Sequence, residues 1–536
     1  MRKIILLGFL FITALTFAQE DAWVYFTDKP NAQFYLDNPL EMLSQRALDR
    51  REAQNIPLDD KDVPVHQSYI DQIAATTGIV VKAKSKWLNA LHIRGSVANI
   101  NALAGLSFVE DIEFANKLLN APGRPAGLPR PRSITQEQGT NADFSYGPSG
   151  SQIQMLKGHV LHQQDYTGTG KIIAVMDGGF PGVDTTQPFQ NLITNNRILG
   201  GYNYVDGNDN FYTGGTHGTK VLSTLGGFVD GSLIGSAPDA SYYLFITEDV
   251  TVENPVEESY WVEAAEVADS LGVDVINTSL GYLDYDNPAY NYTYEDIDGE
   301  TAFITRGANV AFTRGMICVT SAGNSGNNAE PHIEVPADAF NTLTVGAVDF
   351  NEVRAGFSSI GPSFDGRIKP DVMAQGGPAV IANEVGSVTT GNGTSFSAPI
   401  MAGLVACLWQ AFPDKTNSEI LALVKGSADR FNNPNFEYGY GIPDFAWALN
   451  ELQLNQINKQ SFKVYPNPVK DNITIAFPDD VSSVSVTIFN GLGQVVLQKE
   501  ISKNTTMIST EKLAAGIYNY RIETQQQWQT GKIVKE

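Results

Sequence analysis

The chain has 536 residues, of which 59 are acidic and 36 basic, for a formal net charge of −23. A surface this acidic repels phosphate backbones and excludes nucleic acid as a natural partner, while 42 % hydrophobic and 10 % aromatic residues exclude a disordered chain. The length predicts two to four domains. With only two cysteines, Cys318 and Cys407, there is neither a disulfide framework nor an all-cysteine zinc site.

Arg2 and Lys3 precede an apolar run from Ile4 to Phe17 that closes on Ala18. This is the pattern of a secretory signal peptide over residues 1–18, too short to cross a bilayer comfortably. No later stretch offers about 18 uninterrupted apolar residues, so the mature chain is expected to be exported, soluble and free of a transmembrane segment. Residues 19–115 read as a small α+β domain. Strands are predicted at Ala22–Phe26, Ile79–Lys84, Ala90–Arg94 and Val109–Phe114, and helices at Leu40–Gln54, Ser68–Ala75 and Val97–Leu106. Residues 116–144, rich in Pro, Gly and Arg, form a linker open to proteolytic nicking.

From 145 to 452, short apolar strands ("KIIAVMD", "VDVINTSLG", "MICVTSAGN", "NTLTVGAV") alternate with helical stretches at 258–271 and 397–411. Strands buried on both faces and separated by helices predict an α/β domain with a parallel sheet. Its ligands would sit where loops leave the carboxyl ends of the strands. A polar bridge at 451–460 leads to residues 461–536, which read as strands only and predict a small all-β sandwich.

Chemistry concentrates in the middle domain. Asp177 ends an apolar strand, and His217 stands in "GGTHGT", where small residues let a helix start close to its neighbour. Ser395 lies in "GNGTSFSAP" before an apolar helix, and Asn324 follows the strand "VTSAG". An acid, an imidazole, a hydroxyl and an amide thus occupy strand–helix junctions at one end of the sheet. A lone serine is a weak nucleophile; a histidine can take its proton, an aspartate can fix the tautomer, and an amide donor can stabilise an oxyanion. Elsewhere, His159 and His162 lack an acidic ligand in the same turn, so no metal site is predicted. Gly168–Lys171 precedes its strand and is not a phosphate loop. No G-x-S-x-G elbow surrounds Ser395.

The order Asp–His–Ser, with "VMDGG", "GTHGT", "SLGY", "SAGN" and "GTSFSAP", resembles the subtilisin-like serine proteases, the subtilases, over roughly 145–452. The resemblance implies a catalytic triad of Asp177, His217 and Ser395, with Asn324 as oxyanion donor and Ser279, Leu280 and Gly281 as the edge that pairs with the substrate backbone. It departs from the family at Gly178, where threonine is usual, at Phe396, where methionine is usual, and at Tyr282, where many relatives have glycine. It also carries a polar insertion from Asp284 to Asp298. No cofactor is implied for catalysis. Subtilases often hold structural calcium, which the acidic loops Asp206–Asp209 and Asp284–Asp298 would suit. Cys318 and Cys407 are expected to face the core, with a disulfide between them left open.

Residues 19–115 resemble the subtilase propeptide, which folds first, inhibits the enzyme and is then cut away. The tail, with "VYPNPVKDNITI", "VTIFNGLGQVV", "LAAGIYNYRI" and "GKIVKE", resembles the sorting domain of type IX secretion substrates. The implied protein is a secreted or cell-surface serine endopeptidase acting through an acyl-enzyme. Its implied partners are protein or peptide substrates, its own propeptide and the type IX machinery. The alternative is an inactive subtilase-fold binding or adhesion protein.

Overall fold

The structure is a computed structural model that describes residues 19–120, 144–459, 462–478, 481–491, 493–524 and 528–536. The expected signal peptide and most of the expected linker lie outside the described residues. The chain divides into two units, one running to Ala448 and one from Leu449 to Glu536.

The first unit begins with an antiparallel sheet of four strands, β1 (Gln19–Phe26), β2 (Ile79–Ser85), β3 (Ala90–Ser96) and β4 (Val109–Phe114), in the order β2-β3-β1-β4. The helices α1 (Gln45–Ala53), α2 (Gln67–Ala74) and α3 (Val97–Ala102) accompany it, with a shorter one at Ala32–Asp37. One face of the sheet buries Val24, Phe26, Leu91, Ile93 and Phe114 against Ile73 and Ile100. Ser44 and Ser96 start α1 and α3 by accepting the N–H groups of Ala47 and Asn99 at 3.2 Å. The predicted α+β pattern holds, with β1 longer than its apolar core and the first helix shorter than its charged periodicity.

A seven-stranded parallel sheet follows: β5 (Ile172–Asp177), β6 (Ile198–Asn203), β7 (Ser241–Ile246), β8 (Val275–Thr278), β9 (Ile317–Ser321), β10 (Leu343–Val348) and β11 (Val372–Gln375). Its order is β11-β10-β9-β8-β5-β7-β6. Every residue of β5, β8, β9, β10 and β11 is buried, which is why these strands read as continuous apolar runs. The chain leaves β5 for one edge and later returns to its other side, so the switch in strand order falls beside the strand that ends in Asp177. Helix α4 (His217–Gly226) and the long α7 (Thr394–Ala411) pack on each other and on the sheet. Helices α5 (Val256–Leu271) and α6 (Phe303–Thr313) pack together elsewhere on it. Among the described residues, α7 alone has the length and apolar composition to cross a membrane, and 94 % of it is buried inside this fold.

The opening sheet docks on α5 and α6. Trp23 donates to Ser259 at 2.8 Å and stacks on Phe303. Glu266 of α5 accepts the Ser85 hydroxyl at 2.6 Å and the N–H groups of Lys86 and Trp87 at 2.9 Å. Arg50 and Arg51 of α1 both pair with buried Asp269. These bonds satisfy charges that burial would otherwise leave exposed to a low dielectric.

In the second unit, seven antiparallel strands form a three-stranded and a four-stranded sheet around one core of Ile473, Ile475, Val486, Ile488, Ile508 and Ile522. The predicted sandwich thus gains a strand, Met507–Ser509, too short to carry a pattern of its own. The expected bridge at 451–460 begins as helix. Helix α8 (Phe445–Lys459) extends into it, because "ELQLNQINK" is built of helix-tolerant residues with no Gly or Pro to stop it.

Candidate active site

Four sequence-predicted residues converge at the carboxyl end of the sheet. Asp177 is fully buried as the last residue of β5, and Gly178 donates its N–H to Asp177 Oδ1 at 2.8 Å. His217 is the first residue of α4. Its Nδ1 lies 2.9 and 3.0 Å from the two Asp177 carboxylate oxygens. The helix can start this close because Gly218 has no side chain; a Cβ there would stand 2.9 Å from the Asp177 Cβ and 2.5 Å from the Gly179 carbonyl. The Asp177 charge raises the pKa of His217 above its ordinary 6.5, against the opposing effect of burial, and Glu248 adds to the rise.

Ser395 occupies the first turn of α7, where backbone N–H groups have no intrahelical acceptor. Its Oγ donates to the Ser279 carbonyl at 3.2 Å rather than to His217, and the Ser279 hydroxyl donates back to the Ser395 carbonyl at 2.9 Å. Pro399 explains the second bond. It has no N–H to reach back four residues, so the Ser395 carbonyl is freed for Ser279. Asn324, exposed beyond β9, accepts the Thr394 N–H at 3.0 Å and the Thr394 hydroxyl at 3.2 Å through Oδ1. Its carbonyl end is therefore fixed and its NH₂ end turned outward.

Ser279, Leu280 and Gly281 leave β8 beside Ser395. Leu280 is buried, Gly281 is exposed, and Tyr282 then bridges antiparallel to Val335 through a 2.9 Å bond. Two departures from the family have local causes. A Cβ on Gly178 would meet Val250 Cγ1 at 2.7 Å. The Phe396 ring lies 6.1 Å from the His217 ring and fills the space left by Gly391, whose Cβ would clash with it at 2.7 Å.

Sequence reasoning missed two neighbours. Burial beside Asp177 pushes Glu248 up to about 8, and Glu334 accepts from the Ser325 hydroxyl at 3.0 Å and from the Asn324 N–H. No motif marks either; only the parallel pairing of β7 with β5 carries Glu248 to the site.

Other candidates lie apart from it. His162 is held between the Tyr146 hydroxyl at 2.7 Å and the Ser236 carbonyl at 2.9 Å, and burial lowers its pKa to about 4, which makes it structural. Cys318 and Cys407 are both buried and free. Asp206 accepts from Asn203 and Asp284 from Asn291, and among the described residues no three His, Cys, Asp or Glu side chains gather as a ligand set.

Comparison with known proteins agrees with this architecture. The profile described as "Subtilase family" matches residues 168–441, that of the "Peptidase S8 propeptide domain, Bacteroidota" matches 21–130, and that of the "Secretion system C-terminal sorting domain" matches 463–536. Subtilisin NAT of Bacillus subtilis subsp. natto is 31 % identical over 293 residues, covering 54 % of this chain and 68 % of that protein. Subtilisin of Bacillus pumilus is 30 % identical over 293 residues, 54 % of this chain and 94 % of its own length. M-protease of Shouchella clausii is 30 % identical over 292 residues, 54 % and 67 % of the two chains. The chain therefore belongs to the subtilase family of serine peptidases, as a propeptide-bearing member with a C-terminal secretion sorting domain.

Proposed function

We propose that the protein is a secreted endopeptidase that cleaves peptide bonds through Asp177, His217 and Ser395 by way of an acyl-enzyme. The observation that carries this reading is the two-oxygen contact of Asp177 with His217 Nδ1, which leaves Nε2 as the proton acceptor beside the first turn of α7. In this reading Ser395 Oγ gives up its bond to the Ser279 carbonyl and donates to that nitrogen instead. His217 then takes the hydroxyl proton as Oγ attacks the scissile carbonyl, and Asp177 stabilises the imidazolium that forms. The Asn324 amide and the Ser395 N–H bind the tetrahedral oxyanion. His217 returns the proton to the leaving amine, and water, activated the same way, releases the acyl group. Residues 279–281 hold the substrate as an added strand. No cofactor enters any step. Residues 1–18 take the chain across the inner membrane and 461–536 across the outer one.

Ser395→Ala should abolish peptide hydrolysis and leave the 19–115 domain attached, as read by chromogenic peptide assay and intact mass. Wild-type turnover in the variant would remove Ser395 as nucleophile. Normal maturation of the pure variant would remove self-processing. The Ser395–Ser279 hydrogen bond favours a second reading, an inactive binding protein, which predicts no labelling of the processed chain by a fluorophosphonate.

A further inference from the structure

The insertion between the edge segment and α6 has a purpose that the triad does not use. Residues 284–298 contain five acidic side chains, Asp284, Asp286, Glu295, Asp296 and Asp298, and no Lys or Arg. From within the fold, one buried carboxylate anchors the segment: Glu258 of α5 accepts the hydroxyls of Tyr285 at 2.7 Å and Tyr292 at 2.8 Å. Asp296 ties the outer turn by accepting the N–H and hydroxyl of Thr293 at 2.6 and 2.8 Å. The insertion is therefore a fixed surface.

That surface holds the end of the propeptide. Lys117, three residues after β4, places its ammonium 2.6 Å from Asp296 Oδ2 and 4.2 Å from the centre of the Tyr292 ring. The Lys117 nitrogen itself is buried although its side chain as a whole is 37 % exposed, so the ammonium faces the carboxylate and the ring while its stem meets solvent. Tyr290 donates to Glu20 at the start of β1, at 3.1 Å. On the flank, Arg306 of α6 reaches Glu113 of β4 at 2.9 Å. The charge pattern continues in the sequence, since residues 117–133 carry Lys117, Arg124, Arg130 and Arg132 and no acidic residue.

We infer that the 284–298 insertion is a clamp for the propeptide's own carboxyl end, gripping Lys117 between Asp296 and Tyr292, and that its release sets how long the processed enzyme stays inhibited. The inference rests on the reading of the chain as a self-processing protease. It explains why an acidic, tyrosine-rich loop follows directly on the substrate edge. The occupant is the turn that follows the α+β domain, Lys117–Leu119, which lies inside the 21–130 propeptide match.

The test follows activation of the secreted full chain by the lag before a chromogenic peptide is cleaved at low ionic strength. Lys117→Ala and Asp296→Asn should each shorten the lag at least tenfold. The final rate of the Lys117→Ala protein should equal wild type, because Lys117 departs with the propeptide. Lys117→Glu combined with Asp296→Lys should lengthen the lag again relative to either reversal alone. A lag within twofold of wild type in both single variants overturns the clamp. A second readout does not need catalysis. In the full-length Ser395→Ala chain, trypsin should cut after Lys117 at least tenfold faster once Asp296→Asn is added, and equal rates overturn the clamp. A wild-type chain that never becomes active while the trypsin result holds would overturn the protease reading and leave the clamp standing.

Discussion

Asn324 illustrates how a single side chain can be aimed by what holds its other end. Its Oδ1 accepts both the N–H and the hydroxyl of Thr394, the residue before the proposed nucleophile, so the amide is tied to the start of α7. In the proposed reaction the NH₂ end is a preorganised donor whose bond strengthens only when charge develops on the substrate oxygen. Asn324→Ala should therefore lower kcat by ~10²–10³ with KM little changed, the cost expected for one oxyanion donor. Steady-state kinetics on a peptide substrate would check it, and a loss confined to KM would make Asn324 a substrate-binding residue instead. The same logic applies to Pro399, which frees the Ser395 carbonyl for Ser279 and so ties the start of α7 to the proposed substrate edge. Asn324 and Ser395 were legible in the sequence because their chemistry sits in short local motifs. Glu248 and Glu334 were not, since each reaches the site only through the pairing or packing of distant segments.

Helix α5 shows how one element can serve two partners. One side packs Trp261 and Ala265 into the enzyme core, while Ser259, Glu266 and Asp269 receive the propeptide. Burial pushes Glu266 up to about 7, against the lowering effects of Lys86, Ser85 and the Lys86 and Trp87 N–H groups. A carboxyl raised in the docked state binds a proton on docking. Its contribution to docking is thus full below its ordinary value near 4.5 and is lost as pH rises through about 7. Propeptide release should accelerate between pH 5 and 8, and Glu266→Gln should flatten that dependence; a profile that stays as steep in the variant would place the titration elsewhere. At this scale the sequence reading was most accurate at β4, whose predicted limits stand unchanged. It fell short where the signal was not periodic. The glycine-rich approach to Ser395 hid the first turn of α7, and polar residues at 451–459 concealed a helix that needs no apolar face to continue.

Across the whole molecule, catalysis and export occupy separate stretches of chain. The proposed triad, Asn324 and the substrate edge all fall within residues 177–395, and the sorting domain matches 463–536. The tail has its own core of strand residues and is divided from the rest at Leu449. It contains no histidine, so it supplies no imidazole base to the site. A unit with its own core can fold on its own and be removed without exposing its neighbour's interior. Deleting residues 461–536 should therefore leave the enzyme folded and active when recovered from the periplasm, with kcat/KM within about twofold of the full chain, since no described site residue is lost. The truncated protein should fail to reach the medium or cell surface in a host with type IX machinery, and 461–536 fused to an inert signal-bearing passenger should carry that passenger out. Fractionation and activity assays on both strains read the outcome. Normal export of the truncated enzyme would make the tail a binding module, and a truncated enzyme that cannot fold would make those strands part of the catalytic core.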